Sequence, residues 1–121
     1  PVDVVGLPPD ITAIAAGISR SCAVDGSGAL YCWGSNFNGV LGDGTQTDRL
    51  TPVRVPGLGG PVAAVGFGFY HTCALVRTAG GLRLQCWGGN GSGQLGINNG
   101  WLPVDVIAPT TWQVLPLIRA D

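Results

Sequence analysis

An all-β repeat fold is predicted for this chain by three features of its 121 residues. One stretch occurs twice. Gly17, Cys22 and Ala23 answer to Gly68, Cys73 and Ala74; after turns of different length, Cys32-Trp33-Gly34 answers to Cys86-Trp87-Gly88. Asn36, Gly39 and Leu41-Gly42 then answer to Asn90, Gly93 and Leu95-Gly96. An outer frame repeats too, since Pro1-Val2-Asp3-Val4, Pro52-Val53-Arg54-Val55 and Pro103-Val104-Asp105-Val106 stand 51 residues apart both times. No segment carries apolar residues at helical spacing. Two copies at a fixed period signal a repeat architecture. The frame divides the chain into repeats at 1–51 and 52–102, with a partial third at 103–121.

In chain order, residues 1–10 read as extended, fixed by Pro1, Pro8 and Pro9. Residues 11–16 are a short apolar strand. Residues 22–24 and 30–32 form a hairpin around Gly26-Ser27-Gly28, a three-residue loop with glycine for the left-handed position. Cys22, Val24, Leu30 and Cys32 share one face of it, and Ala23, Tyr31 and Trp33 the other, so the hairpin is expected between two layers. Residues 34–44, rich in Gly and Asn around Val40 and Leu41, suit a buried irregular turn with positive φ angles. Residues 45–51 read as polar and exposed, 52–58 restart the frame, and 62–65 are the next apolar strand. Residues 73–87 form the second hairpin, turning at Ala79-Gly80 between Thr78 and Gly81.

That register sets Cys22 opposite Cys32 and Cys73 opposite Cys86. Opposed residues lie about 4.5 to 5.5 Å apart at Cα, within reach of a disulfide. The spacings fit none of the close C-x-x-C pairs that zinc favours. One disulfide per repeat is the reading, which places the protein in an extracellular, periplasmic or cell-surface setting.

Composition narrows the function. The chain is 45% hydrophobic and 11% charged, with a formal net charge of -1, which is globular and offers no phosphate-tracking surface. Its cations are six scattered Arg, with no Lys. No apolar run reaches the roughly 18 residues of a membrane span. Without an initiating Met or a leader-like start, the chain reads as a processed or excised segment.

The run Gly68-Phe69-Tyr70-His71-Thr72-Cys73-Ala74-Leu75, followed by C-W-G-x-N-x-x-G-Q-L-G from Cys86 to Gly96, resembles the repeat of the regulator of chromosome condensation family, in a cysteine-bearing variety similar to bacterial exported proteins. The resemblance implies antiparallel four-stranded β-propeller blades, about two here plus the start of a third. It also implies a ring of usually seven, which this chain cannot close alone, so other chains or a longer parent must close or extend it. The sequence departs from the family pattern at Arg20, where the second repeat has His71. It departs again in the tail, which drifts after a possible strand at 112–115.

No catalytic constellation is found: the single His71 reads as structural, hydrogen-bonding across strands, and there is no G-x-S-x-G elbow beside the serines. Asp43 and Asp48 lack the D-x-D-x-D-G pattern of a calcium loop and read as turn residues. Asn90-Gly91-Ser92 matches a glycosylation sequon, although Asn90 is also the Asn expected to hold the repeat's turn. Trp33 and Trp87 recur and read as core; Trp101 and Trp112 do not, and with Val114, Leu115, Leu117 and Ile118 they are assigned to an assembly interface. The expectation is therefore a non-enzymatic module without cofactor or metal and without a nucleic-acid partner or membrane insertion. It self-assembles into a ring or filament through blade faces (residues 62–65, the cysteine hairpins) and an exchanged edge strand at 112–118. The alternative is a fragment of a longer propeller that binds a protein or carbohydrate on its top loops.

Overall fold

The computed structural model describes residues 1–89 and 103–105. Among these, the strands form two four-stranded antiparallel sheets, each in simple chain order. The first sheet holds β1 (Ile11–Gly17), β2 (Arg20–Asp25), β3 (Leu30–Gly34) and β4 (Arg49–Arg54). The second holds β5 (Val62–Phe67), β6 (His71–Thr78), β7 (Gly81–Gly88) and β8 (Val104–Asp105). These are the expected four-stranded blades.

Turn chemistry sets both central hairpins. In the first, Asp25 Oδ1 accepts from the Ser27 amide (2.9 Å), the Ser27 hydroxyl (2.6 Å) and the Ala29 amide (3.0 Å), and Gly28 takes the left-handed position at φ +87°. The carboxylate thus satisfies the amides that the three-residue loop leaves free. In the second, Thr78 pairs with Gly81 across Ala79-Gly80, and Gly81 at φ +110° accepts from the Thr78 hydroxyl at 2.7 Å. Both turns deliver the expected register, Cys22 opposite Cys32 and Cys73 opposite Cys86. Both pairs are disulfide-bonded with Cα atoms 4.1 Å apart.

The outer strand is where the structure adds to the sequence reading. Residues 45–51, read as polar and exposed, are largely exposed, and β4 begins within them at Arg49 and pairs with β3. As an edge strand it needs hydrogen bonds on one side only, so it tolerates Pro52 and leaves Leu50 exposed. Each sheet therefore takes its fourth strand from residues at or beyond a Pro-Val frame boundary: β4 spans residues 51 and 52, and β8 follows Pro103.

The core lies between the sheets. Ala15, Cys22, Val24, Leu30 and Cys32 of the first meet Val62, Val65, Ala74, Val76 and Trp87 of the second, with Leu41 and Val55 from the connections. Each fully buried aliphatic side chain here contributes roughly 1.5–3 kcal/mol. Val62 and Val65 are thus inside this chain, not on a surface available for assembly as expected. Trp33 also departs from its expected core role: it is half-buried, while Trp87 is fully buried. The difference is one of neighbours, because the first sheet covers Trp87 and no sheet among the described residues covers Trp33 equivalently.

A candidate protein-interaction end

The β1–β2 turn, the β5–β6 turn and the β3–β4 connection gather at one end of the two blades, as antiparallel order requires. Asn36 builds the connection. It is fully buried, and its side-chain amide donates to Asp43 Oδ1 (3.1 Å), Thr45 O (3.0 Å) and Thr47 O (2.9 Å), while its carbonyl oxygen accepts from the Leu41 amide at 2.9 Å. Asp48 accepts from the Asn36 amide at 2.8 Å, and Asp43 pairs with Arg49 Nε at 2.9 Å. Hydrogen bonds to Thr45, Arg49 and Asn36 hold the Asp43 carboxyl below the ordinary range, although burial opposes them as the largest single influence. Both carboxylates thus serve the turn, and the described residues contain no cluster of His, Cys, Asp or Glu able to hold a metal.

This connection locks the blades together. Val40 O accepts from two donors of the second blade, Thr72 Oγ1 at 2.8 Å and Trp87 Nε1 at 2.9 Å. Gly42, at φ +77°, lies against the Trp87 indole, where a Cβ would stand 2.6 Å from Nε1. Only glycine allows that approach.

Arg20 is a second clamp, and sequence reasoning saw it only as a departure from the repeat. Nearly buried at 5% exposure, it donates to Gly68 O (2.6 Å), His71 O (2.9 Å) and Phe69 O (3.4 Å), with its guanidinium carbon 4.6 Å from the Phe67 ring centroid. A first-blade cation thus wraps the second blade's β5–β6 turn. Burial lowers its pKa, and its Nε has no acceptor among the described residues.

His71 makes no side-chain hydrogen bond among the described residues, contrary to its expected cross-strand bond; its ring covers Gly68. Burial, and secondarily the charge of Arg20, lower its pKa below 6.5. The folded state therefore resists protonating it. Its contribution to stability is complete above pH 6.5 and is lost as pH falls from there through the folded-state value. His71 is the chain's one histidine, so a decline in thermal midpoint from pH 7 to 5 is expected to shrink in His71→Gln. An unchanged decline would assign it elsewhere.

The clamped turn presents aromatic groups outward. Phe69 and Tyr70 are exposed, as are Phe37 on the first blade's connection and Ile18 in the β1–β2 turn. Phe37 and Tyr70 centroids lie 6.1 Å apart at 59°, and Phe69 and Tyr70 6.4 Å apart at 49°. The sequence carried a signal for this patch, large apolar groups beside turn glycines in Gly66-Phe67-Gly68-Phe69-Tyr70, which the strand reading left unused. Of the site residues named from sequence, the four cysteines are joined as expected. Trp101, Trp112, Val114, Leu115, Leu117, Ile118 and Asn90 lie outside the described residues.

The fold and sequence have relatives. Two models of the regulator of chromosome condensation (RCC1) repeat match, at residues 27–75 and 11–40. The chain is 41% identical over 87 residues to the ultraviolet-B receptor UVR8 of Arabidopsis thaliana, covering 71% of this chain and 19% of that protein. It is 30% identical over 112 residues to the mitochondrial RCC1 domain-containing protein RUG3 of Arabidopsis thaliana, covering 89% of this chain and 24% of that protein. The chain thus spans about a fifth to a quarter of these relatives. Among solved structures it resembles human WBSCR16, with TM-score 0.71 and 26% identity over 89% of this chain and 29% of that one. Yeast RCC1 (Prp20), solved with Kap60 bound, shares the fold at TM-score 0.71 and 24% identity, over 88% of this chain and 25% of that one. With its two interlocked four-stranded blades, the chain belongs to the RCC1 repeat family of β-propellers.

Proposed function

We propose that this chain is a non-enzymatic, protein-binding part of a larger RCC1-type propeller, and that its partner sits on the aromatic loop end. The carrying observation is the cluster of exposed Phe37, Phe69 and Tyr70, contributed by both blades and held from below by Arg20. Large exposed aromatic groups on rigid turns are the usual anchors of protein interfaces. A polypeptide fits better than a carbohydrate: the rings are tilted instead of forming one flat platform, and Tyr70 supplies the cluster's single hydroxyl. A related protein has been seen with a protein bound, Kap60 on yeast RCC1. The two disulfides support an extracellular, periplasmic or cell-surface location. Self-assembly into a ring or filament is the competing reading, favoured by Trp33, which is left half-buried where Trp87 is fully buried.

The test is selection of peptides from a random displayed library on the disulfide-bonded chain. Selected peptides are expected to carry aliphatic or aromatic side chains and to lose at least about tenfold in affinity, roughly 1.4 kcal/mol, on Phe69→Ser/Tyr70→Ser. Leu50→Ser, on the outer strand, serves as control. Peptides that bind the double variant equally well would remove the loop end as the site.

A further inference from the structure

The turn that carries Phe69 and Tyr70 is seated on a buried cation and closed by a ring that takes up a second positive charge when protonated. Arg20 Nη2 donates to Gly68 O at 2.6 Å and to His71 O at 2.9 Å, so one full charge already holds the carbonyls at both ends of the turn. The turn's own hydrogen bond, from the Gly68 amide, also ends on His71 O, at 3.0 Å. Against Gly68 lies the half-buried His71 ring. A Cβ on residue 68 would stand 2.5 Å from Nδ1 and 2.9 Å from Nε2, so the ring takes this place only because glycine has no side chain.

Neutral imidazole suits this place, and imidazolium does not. A charged ring donates from both nitrogens and needs an acceptor at each, but the His71 side chain has no hydrogen-bond partner among the described residues. No counter-ion stands ready either. From β2, Arg20 faces it, and within its own turn the neighbouring titratable group is Tyr70. β5 has no titratable residue, and β7 places Gly88 opposite His71, with Arg83 farther along the strand opposite Val76. In the β3–β4 connection Asp43 is bound by Arg49, Thr45 and Asn36, and Asp48 by the Asn36 amide. Arg20 is the one charge among the described residues that acts on His71.

We propose that the loop end is acid-sensitive: a proton on the His71 ring sets a second cation beside buried Arg20, the turn from Gly68 to His71 leaves its seat on Arg20, and a partner held on Phe69 and Tyr70 is released. The last step rests on the reading of the loop end as the binding site. Linkage gives the direction. The closed turn resists the proton and the open turn accepts it, so affinity is complete above pH 6.5 and falls below it, by no more than about tenfold per pH unit for a single proton. A partner covering the turn removes more water from the ring and deepens the fall.

Two readings on the disulfide-bonded chain test this. Without a partner, nuclear magnetic resonance follows the His71 ring, the Arg20 Nε–H and the Phe69 and Tyr70 amides as pH falls; all are expected to move on one titration curve with its midpoint below 6.5. With a partner, the probe is a loop-end peptide selected from the displayed library, with blocked termini and no His, Asp or Glu. It is expected to lose at least about threefold in affinity between pH 7 and pH 5, and His71→Gln is expected to flatten that profile. A His71 ring that titrates while Arg20 and the turn amides stay still would overturn the proposal, as would an equal loss of affinity in His71→Gln. Peptides indifferent to Phe69→Ser/Tyr70→Ser would instead remove the loop end as the binding site, and the partner-free titration would then decide the release of the turn by itself.

Discussion

Trp87→Ala is expected to destabilise the chain by about 3–5 kcal/mol, the range for a fully buried large aromatic cut to alanine, and Trp33→Ala by less than half of that. The two residues stand at the same repeat position and differ only in neighbours. Trp87 is completely buried, donates to Val40 O at 2.9 Å and lies under Gly42, so its removal empties a cavity between the blades and takes one of that carbonyl's two donors. Trp33 is half-buried, and water already reaches part of its ring. Chemical denaturation of the two variants, followed by far-ultraviolet circular dichroism, measures the difference. Equal losses would mean that the blades do not interlock through this residue. Total stabilities of about 5–15 kcal/mol are usual for a domain, so Trp87→Ala leaves little margin.

Reduction is expected to have an effect as large. Each disulfide closes a short loop, at sequence separations of 10 and 13, and a cross-link of that size restrains the unfolded chain by about 3 kcal/mol. Losing both removes about 5–6 kcal/mol on the same basis, enough to leave the reduced chain largely unfolded at 37 °C. The order of reduction is predicted too. Cys22, Cys32 and Cys86 are buried and Cys73 is half-buried, so a reductant reaches the Cys73–Cys86 bond first. Thermal melts with and without a phosphine reductant, and timed alkylation with mass analysis, check both statements. A reduced chain that melts within a few degrees of the oxidised one would show that the hairpins hold without their cross-links.

What the sequence disclosed and what it withheld divide along a physical line. Local chemistry was legible: glycine at 28 and 81 set the hairpin turns, the turns set the register, and the register set the cysteine pairs. The role of Asn36 was legible by analogy within the repeat, because a buried Asn in a Gly-rich turn has few other uses. Neighbour-dependent features were hidden. Nothing in the letters distinguishes Trp33 from Trp87, since burial depends on whether a blade stands in front. The start of β4 at Arg49 was hidden because an edge strand is stabilised on one side and tolerates the polar, Pro-containing sequence of a loop. Arg20 was read as a departure from a histidine position; its bonds to Gly68, Phe69 and His71 cross 48 to 51 residues of chain and appear only once the blades are side by side. The aromatic end followed the same rule, since Phe37 and Tyr70 meet only across the two blades.

The most direct test of the interlock is the exchange rate of the two indole N–H protons in the disulfide-bonded chain, read by nuclear magnetic resonance. If the Val40 carbonyl and Gly42 seal Trp87 while the face of Trp33 is open, the Trp87 proton exchanges only through opening of the whole structure and the Trp33 proton orders of magnitude faster. Indole protons exchanging at one common rate would contradict the interlocked arrangement of the two blades.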